Sequence, residues 1–546
     1  MPDTPLSVPS PQQVGLDDLV VGVRERFGPN VSPSRADGGI TLSIMLRDAS
    51  LLPALSKFLF WEAGCSWGGL IVEERADHWR LSYIFLATGT GWIEILLEMP
   101  SGTRSVPSIS AEVHAGDWHE REAEDLFGLQ FEGHPRLGDF ILHDQVWPEG
   151  AAPHRKLHRK SVDPHELHFR RRPNPEWRPL LVVQDPGSFA MPVGPVYEGG
   201  IGESLHFLLE TVGEDVLRAA PRLFYKFRAV EKIAEGQTVP ETLLLAERFA
   251  ATSSFAHSMG FCTAIEKLCG LEVPKRAKHL RVVLAELERL RHHAGTIADI
   301  CQSTALAVAA SQAAIIEEEL LRSSCRFTEH RYLFGLNAPG GLQRDFDDAS
   351  VGHLRVSVGQ AAQKLHVLED RLYFTSSFLD RLEEAGVVDS EKARDLNLLG
   401  PVGRASGQCH DLRRECPYNG YESYDFEVPR ESEGDGYARL RVLFQEAYQS
   451  QRLISQAAEH LEPGPVRATT QAGLSAGVAL GWVEAPIGAA LHWVRLDEAG
   501  QVERYRAITP SFNNWLGFHV AVEDFAFQDF PIILATFGLS ATECDR

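Results

Sequence analysis

Two kinds of side chain here have types and spacings that could do chemistry: soft metal donors and clustered charges. Cys409-His410 and Cys416 put two thiols and an imidazole in one short stretch, the donors that hold zinc or a similar ion. Three ligands without a second C-x-x-C pair fall short of a closed tetrahedral set, so no metal centre is expected there. All eight cysteines (Cys65, Cys262, Cys269, Cys301, Cys325, Cys409, Cys416, Cys544) lack C-x-x-C spacing. An iron–sulfur cluster would want for ligands, and a disulfide framework does not suit a cytoplasmic chain of this size. Buried, inert thiols are the expectation. Glu120-Arg121-Glu122, with Asp125 a turn further on, suits either a solvated helix turn or an ion-paired contact. The basic run Pro153-His154-Arg155-Lys156, His158-Arg159-Lys160 and Arg170-Arg171-Arg172 could take a phosphate. Its prolines and few apolar residues favour an extended, solvated connector lying on an acidic neighbour. No glycine-rich dinucleotide fingerprint occurs.

The elements that position these residues follow from composition and periodicity. A chain of 546 residues accommodates two or three domains with ample core. The net charge of -22 argues against a nucleic-acid footprint or direct contact with an anionic membrane surface. No apolar run reaches the roughly 20 residues that span a bilayer, and Met1-Pro2-Asp3-Thr4-Pro5 carries no export signal. Residues 17–145 read as a small mixed domain: strands at Ile40–Leu46, Trp79–Leu86 and Trp92–Met99, a helix at Leu51–Glu62. Residues 146–190 form the linker. From 191 to 546 helices dominate. Leu245, Phe249, Thr252, Phe255, Ala256, Met259, Cys262 and Ile265 recur at helical spacing, and the small residues among them let another element approach closely. Leu280, Val283, Leu284, Leu287, Leu290, Ala294 and Ile297 mark a second helix. Two long helices, around Thr304–Arg326 and Ser350–Glu384, flank the turn Pro339-Gly340-Gly341. The fold class expected is α+β: a small N-terminal α/β domain followed by a mainly helical domain with minor β.

Longer motifs carry resemblances. Trp118-His119-Glu120-Arg121-Glu122-Ala123-Glu124-Asp125-Leu126-Phe127-Gly128-Leu129, then Phe131, Gly133, His134 and Pro135, resemble the signature of the C-type subunit of complex I. That resemblance implies that Glu120, Arg121, Glu122 and Asp125 form an ion-pair knot docking this domain on its neighbour. Gly400-Pro401-Val402-Gly403-Arg404-Ala405-Ser406-Gly407, Asp411-Leu412-Arg413-Arg414, Pro417-Tyr418 and Asp425-Phe426-Glu427-Val428-Pro429 resemble hydrogenase large subunits and the D-type subunit of complex I. A fusion of the C and D types resembles the large subunit of formate-hydrogenlyase-type and hydrogenase-4-type complexes, the energy-converting [NiFe] hydrogenases.

Against that family the motif cysteines are missing. Glu247-Arg248-Phe249-Ala250-Ala251-Thr252-Ser253 sets Ala250 and Ser253 where the first nickel-binding pair belongs. Counting back from Asp545-Arg546, Ser540 and Glu543 stand for the second pair. Glu484-Ala485-Pro486-Ile487-Gly488 has Ile487 in place of an arginine. The resemblance therefore implies that this chain binds no nickel and no cofactor of its own, apart from a quinone in the acceptor cavity. Matched to the quinone site of complex I, His206 and Phe261 line that cavity, with His257 nearby as site or scaffold. Implied partners are a small iron–sulfur subunit resembling the B-type subunit of complex I, a ferredoxin-like subunit and antiporter-like membrane subunits, with no nucleic acid. They would hold the chain at the cytoplasmic face of the membrane, and any NAD chemistry would belong to a partner. Two functions follow: a peripheral-arm subunit of a complex I-like oxidoreductase that couples electron transfer to ion translocation, or a structural pseudo-enzyme that scaffolds its neighbours.

Overall fold

The computed structural model describes residues 15–137, 140–141, 152–156, 187–194, 205–468 and 475–546. Most of the expected linker therefore lies outside the described residues, as do Arg170, Arg171 and Arg172.

The N-terminal sheet has five strands: β1 (Val31–Arg35), β2 (Ile40–Leu46), β3 (Ser66–Glu74), β4 (His78–Ala87) and β5 (Gly91–Pro100), ordered β1-β2-β5-β4-β3. Within it only the β2–β5 pair is parallel. The predicted strands fall on β2, β4 and β5. The sequence reading missed β3, whose Gly68-Gly69 pair interrupts alternation at a register shift between Trp67 and Gly69. Residues of β3 are nearly all buried, because the sheet is covered on both faces. One face packs on its own helices. The other, through Ile71, Ile84 and Trp92, joins the core of the following domain, where Trp92 meets Trp482 with ring centroids 5.8 Å apart. Helix α1 (Asp117–Phe127) closes on Gly128, whose left-handed φ of 72° ends the helix without a Cβ penalty.

The second part opens with an antiparallel sheet of β6 (Phe189–Val193), β7 (His206–Val212) and β8 (Asp215–Arg222). Helix α2 (Ser254–Cys269) follows, then α3 (Lys275–Ser303), α4 (Ala307–Thr328) and α5 (Asp348–Tyr373). The periodicity reading ran α5 on to Glu384; it stops at Phe374 and Thr375, and a short helix resumes at Ser376. Helix α6 (Gly436–Glu459) packs along α3, as does α4, so α3 is buried along almost its whole length. An antiparallel ribbon, β9 (Gly477–Ala485), β10 (Gly488–Leu496) and β11 (Val502–Ile508), lies across α2. Helix α7 (Pro510–Ala521) leads to the C-terminal segment.

The α2–β9 contact is as close as its small residues allow. A Cβ on Gly481 would sit 2.1 Å from the carbonyl oxygen of Gly260. Gly481 is a strand glycine, and close approach of another backbone is a usual reason for a glycine in a strand interior.

Candidate functional site

Ser253, Ser540 and Glu543, three of the four positions that the resemblance sets against nickel ligands, converge. The chain leaves a helix at Arg248, makes a short 3-10 turn over Ala251–Ser253 and enters α2 at Ser254. Glu288 of α3 caps that start, accepting from the backbone N–H of Phe255 at 2.8 Å and of Ala256 at 2.9 Å. Ala250 and Ser253 are both buried at this junction. At the other end of the chain Ser540 caps a short helix (Ala541–Cys544), its hydroxyl accepting from the Glu543 N–H at 3.2 Å. Glu543 is fully buried. Its Oε1 lies 3.3 Å from Nε2 of His257, and its Oε2 accepts from the Ser511 N–H at 3.3 Å. Burial pushes the Glu543 carboxyl up, but His257, Ser511 and Ser253 outweigh it and hold the group below the ordinary carboxylate range. Cys544 turns away, its Sγ directed at the Ser540 carbonyl.

His257 continues the contact inward. Its Nδ1 is 3.2 Å from Nε2 of His492 on β10, and Nδ1 of His492 is 2.9 Å from the hydroxyl of Tyr505 on β11. Both partners were missed from sequence. They sit on β10 and β11, where neither motif nor periodicity marked a site. His492 fits because α2 has no side chain at Gly260: a Cβ there would lie 2.5 Å from the imidazole Cδ2. Burial pushes the His492 imidazole well down, so it is neutral near pH 7. Burial and Glu231 push the Tyr505 phenol well up. Phe249 packs on His257 with ring centroids 4.5 Å apart, and Phe261 meets Tyr505 edge-on at 5.6 Å.

Of the residues expected to form an acceptor cavity, the structure joins two and separates one. His257 and Phe261 lie a turn apart on α2 and both reach the ribbon. His206 is in another sheet, on β7 opposite Arg222; burial and that arginine lower its imidazole pKa. Ile487 is buried at the turn between β9 and β10. A cation does reach this turn from α3: Arg289 donates to the Ala485 carbonyl at 3.0 Å and the Glu484 carbonyl at 2.6 Å.

The four charged residues of the α1 motif divide their work. Glu122 accepts from Arg546 at 3.2 Å and also bonds Arg506, spanning the two parts of the chain. Glu231 completes that knot, 2.9 Å from Arg504 and 3.1 Å from Arg506. Glu120 turns inward, accepting from the Ser108 hydroxyl at 2.5 Å and the Ile109 N–H at 2.9 Å. Arg121 lies over the Phe140 ring at 4.4 Å, and Asp125 accepts from the N–H groups of Phe140 and Ile141.

Two expectations about the remaining motifs need correction. His154, read as part of a solvated connector, is 2% exposed, held by the rings of Phe127 and Phe227. Cys325, read as buried, is exposed on α4. Near the Cys409 motif, His410 bonds Glu415 at 2.9 Å and approaches the Ser66 hydroxyl at 3.2 Å, beside a cavity of about 30 Å³ that Trp67, Trp92 and Leu491 also line. That cavity is on the opposite face of the ribbon from His492, since Leu491 and His492 alternate. Among the described residues no group of three or more His, Cys, Asp or Glu side chains could hold a metal ion. No described helix is long and apolar enough to cross a membrane.

Comparison with known proteins fits this arrangement. Residues 48–162 match the family described as respiratory-chain NADH dehydrogenase, 30 Kd subunit, and residues 310–475 match its 49 Kd counterpart. Formate hydrogenlyase subunit 5 of Escherichia coli (strain K12) is 30% identical over 507 residues, covering 91% of this chain and 87% of that protein. Hydrogenase-4 component G of the same organism is 26% identical over 518 residues, covering 93% and 88%. The C/D subunit of NADH-quinone oxidoreductase of Acinetobacter baumannii (strain AYE) is 27% identical over 493 residues, covering 82% and 80%.

Proposed function

This chain belongs to the family of fused 30 and 49 Kd-type subunits that includes formate hydrogenlyase subunit 5, and on that premise we propose that it is a nickel-free subunit of a membrane-bound oxidoreductase. It works in the peripheral arm, held to the membrane by other subunits. Its partners are a small iron–sulfur subunit, a ferredoxin-like subunit and antiporter-like membrane subunits; a dinucleotide, if used, binds one of them. Electrons pass to an acceptor of the quinone class, and the transfer is coupled to ion movement.

One observation carries this reading: Glu543, at a ligand position of the related hydrogenases, is engaged with His257 rather than open to a metal. The donors do not fit nickel. Ala250 offers none, Ser253 and Ser540 offer weak neutral oxygens, and Glu543 is a hard carboxylate already committed to an imidazole, whereas a redox-active nickel needs soft anionic sulfur. No chemical step here runs through a metal on this chain. A second reading, a scaffold without an acceptor, draws support from Phe261 and Ile487, both apolar and buried.

The test is metal analysis of the intact purified complex with paired assays. We expect iron from partner clusters, nickel far below one per complex, no hydrogen uptake, and reduction of decyl-ubiquinone. Stoichiometric nickel with hydrogen uptake sinks the proposal. A His206→Ala complex that assembles normally but loses quinone reduction eliminates the scaffold reading; unchanged reduction removes His206 from the site.

A further inference from the structure

We propose that Tyr505, His492, His257 and Glu543 form a proton relay that loads one proton onto the Glu543 carboxyl. The inference rests on the oxidoreductase reading only for where that proton goes next, to a reduced acceptor of the quinone class.

The geometry is an unbroken line. The steps are 2.9 Å from Tyr505 to His492, 3.2 Å from His492 to His257 and 3.3 Å from His257 to Glu543. All four side chains are buried. With Glu543 ionised, one set of protons satisfies every contact. Tyr505 O–H donates to Nδ1 of His492, Nε2–H of His492 donates to Nδ1 of His257, and Nε2–H of His257 donates to Glu543. Two imidazoles in series, each using both nitrogens, each hold one transferable proton in this arrangement. That arrangement passes a proton; a structural ion pair needs only one of them.

The surroundings keep the line from short-circuiting. The charged groups facing Tyr505 are Glu231 and Arg546; His492 faces His257, and Glu543 faces His257 with Ser511 and Ser253. Phe249 and Phe261 wall the line on the α2 side. Gly260 gives the His492 ring its room.

One transfer balances as follows. A proton supplied from water adds to the Tyr505 oxygen as its O–H breaks toward Nδ1 of His492. The Nε2–H of His492 breaks as Nδ1–H of His257 forms, and the Nε2–H of His257 breaks as O–H of Glu543 forms. Counting the O–H of the hydronium ion that supplies the proton, four bonds to hydrogen break and four form, and the carboxylate becomes neutral. After Glu543 gives up its proton, each ring loses Nδ1–H to water and regains a proton at Nε2 from water, which restores the starting tautomers.

Two measurements test this. The first needs no turnover: ¹⁵N spectra of the full chain with labelled histidine rings, assigned by H257Q and H492Q. With Glu543 ionised, both rings should carry their proton on Nε2. In Glu543→Gln, which removes the charge that anchors the polarity, both rings and not His257 alone should redistribute between tautomers. A doubly protonated ring in the native chain, or a change confined to His257, overturns the relay.

The second uses the purified complex reducing decyl-ubiquinone with reduced methyl viologen as donor. Tyr505→Phe, His492→Gln and Glu543→Gln should each slow turnover at least tenfold at unchanged KM, with a larger solvent deuterium effect in the native complex than in the variants. The Tyr505→Phe/His492→Gln double variant should be no slower than the slower single one, since residues acting as a unit are not additive. Native turnover in Tyr505→Phe, or additive losses, overturns it. A native complex with no quinone reduction defeats the oxidoreductase reading instead, and the ¹⁵N measurement still decides the relay.

Discussion

Two buried polar clusters lie within this chain, and they are built on different rules. Around α3 and α6, Arg289, Arg404 and Arg413 interlock with Glu286, Glu446, Asp411 and Glu484, all fully or almost fully buried. Arg404 donates to Glu446 at 2.7 Å and Glu484 at 3.0 Å; Arg413 donates to Asp411 at 2.7 Å and Glu286 at 3.1 Å. Along the Glu543 line, by contrast, no arginine touches the titrating atoms in the described hydrogen bonds. The first cluster locks geometry, because a guanidinium does not give up its proton and its forked donors fix the carboxylates they meet. Burial raises Glu286 and Glu446, yet the neighbouring arginines hold both below the usual carboxylate range. The second cluster can change state, because each member is neutral or singly charged and has a hydrogen-bonded neighbour to exchange with. Fixed charge builds the frame; titratable groups line the junction between α2 and the C-terminal segment.

Breaking the frame should have the largest effect. Arg404→Met leaves the Glu446 carboxylate without its guanidinium partner in the interior, a loss of about 3–5 kcal/mol. Urea unfolding of the full chain measures it. A loss under about 1 kcal/mol would mean that the carboxylates relax by protonation, and the contrast between clusters would fail.

A carboxylate held by amides rather than arginines should behave in the opposite sense with pH. Glu288 caps α2 through two N–H groups, and burial pushes its carboxyl up to about 7. Its folded pKa exceeds the unfolded value of 4.5, so the folded state binds the proton more tightly. Stability then falls as pH rises from about 4.5 to 7, by up to about 1.4 kcal/mol per unit, near 3 kcal/mol in all. Glu543, held low, contributes the reverse: stability present above about 4.5 and lost as pH falls below it. Glu288→Gln stays neutral and keeps an acceptor, so it should flatten the slope between those values. Glu120, also pushed up to about 7, leaves a residual slope of the same sign. An unchanged slope in the variant would remove Glu288 from the account.

How much of this was legible in the sequence depends on what each element obeys. Strands β2, β4 and β5 announced themselves by β-branched and aromatic runs, and α3 by helical periodicity. The spacing from Leu245 through Ile265 predicts one helix, but the structure ends a helix at Arg248 and makes a 3-10 turn over Ala251–Ser253 before α2 begins at Ser254. Ser253, Ser540 and Glu543 were found by counting along one motif near mid-chain and another at the C-terminal end, and the structure brings them together. Tyr505 and His492 were invisible: a polar residue on the inward face of a strand looks like an interruption until its partner across the core is known. His206 was placed by motif alone, and nothing local to it could show that it folds into a separate sheet. His154 was misread because composition describes a segment's average, while burial there turns on one ring meeting Phe127 and Phe227.

Gly260→Ala would sharpen the comparison without touching any proton-bearing group. The added methyl meets the His492 ring at 2.5 Å, so ring or helix must move. Overpacking of that kind costs about 1–3 kcal/mol, offset by about 1 kcal/mol of better helix propensity. A net loss of up to about 2 kcal/mol is expected in urea unfolding, with His492 resonances displaced in the ¹⁵N spectrum. The arginine frame should be unaffected. A neutral substitution with an unmoved His492 would show that the α2–β10 contact is looser than drawn.

The smallest stability effect belongs to Tyr505→Phe, and that smallness is informative. The hydroxyl makes one neutral hydrogen bond, to His492 at 2.9 Å, and its ring packing on Phe261 survives the change. Losing such a bond costs about 0.5–1.5 kcal/mol, several times less than removing Arg404. If the line were only another piece of frame, a loss that small would leave turnover nearly intact. A stability change near 1 kcal/mol together with a tenfold fall in quinone reduction separates a group that carries protons from one that holds the fold. A loss of 3 kcal/mol or more, on the scale of a broken buried ion pair, would place Tyr505 with the arginines instead.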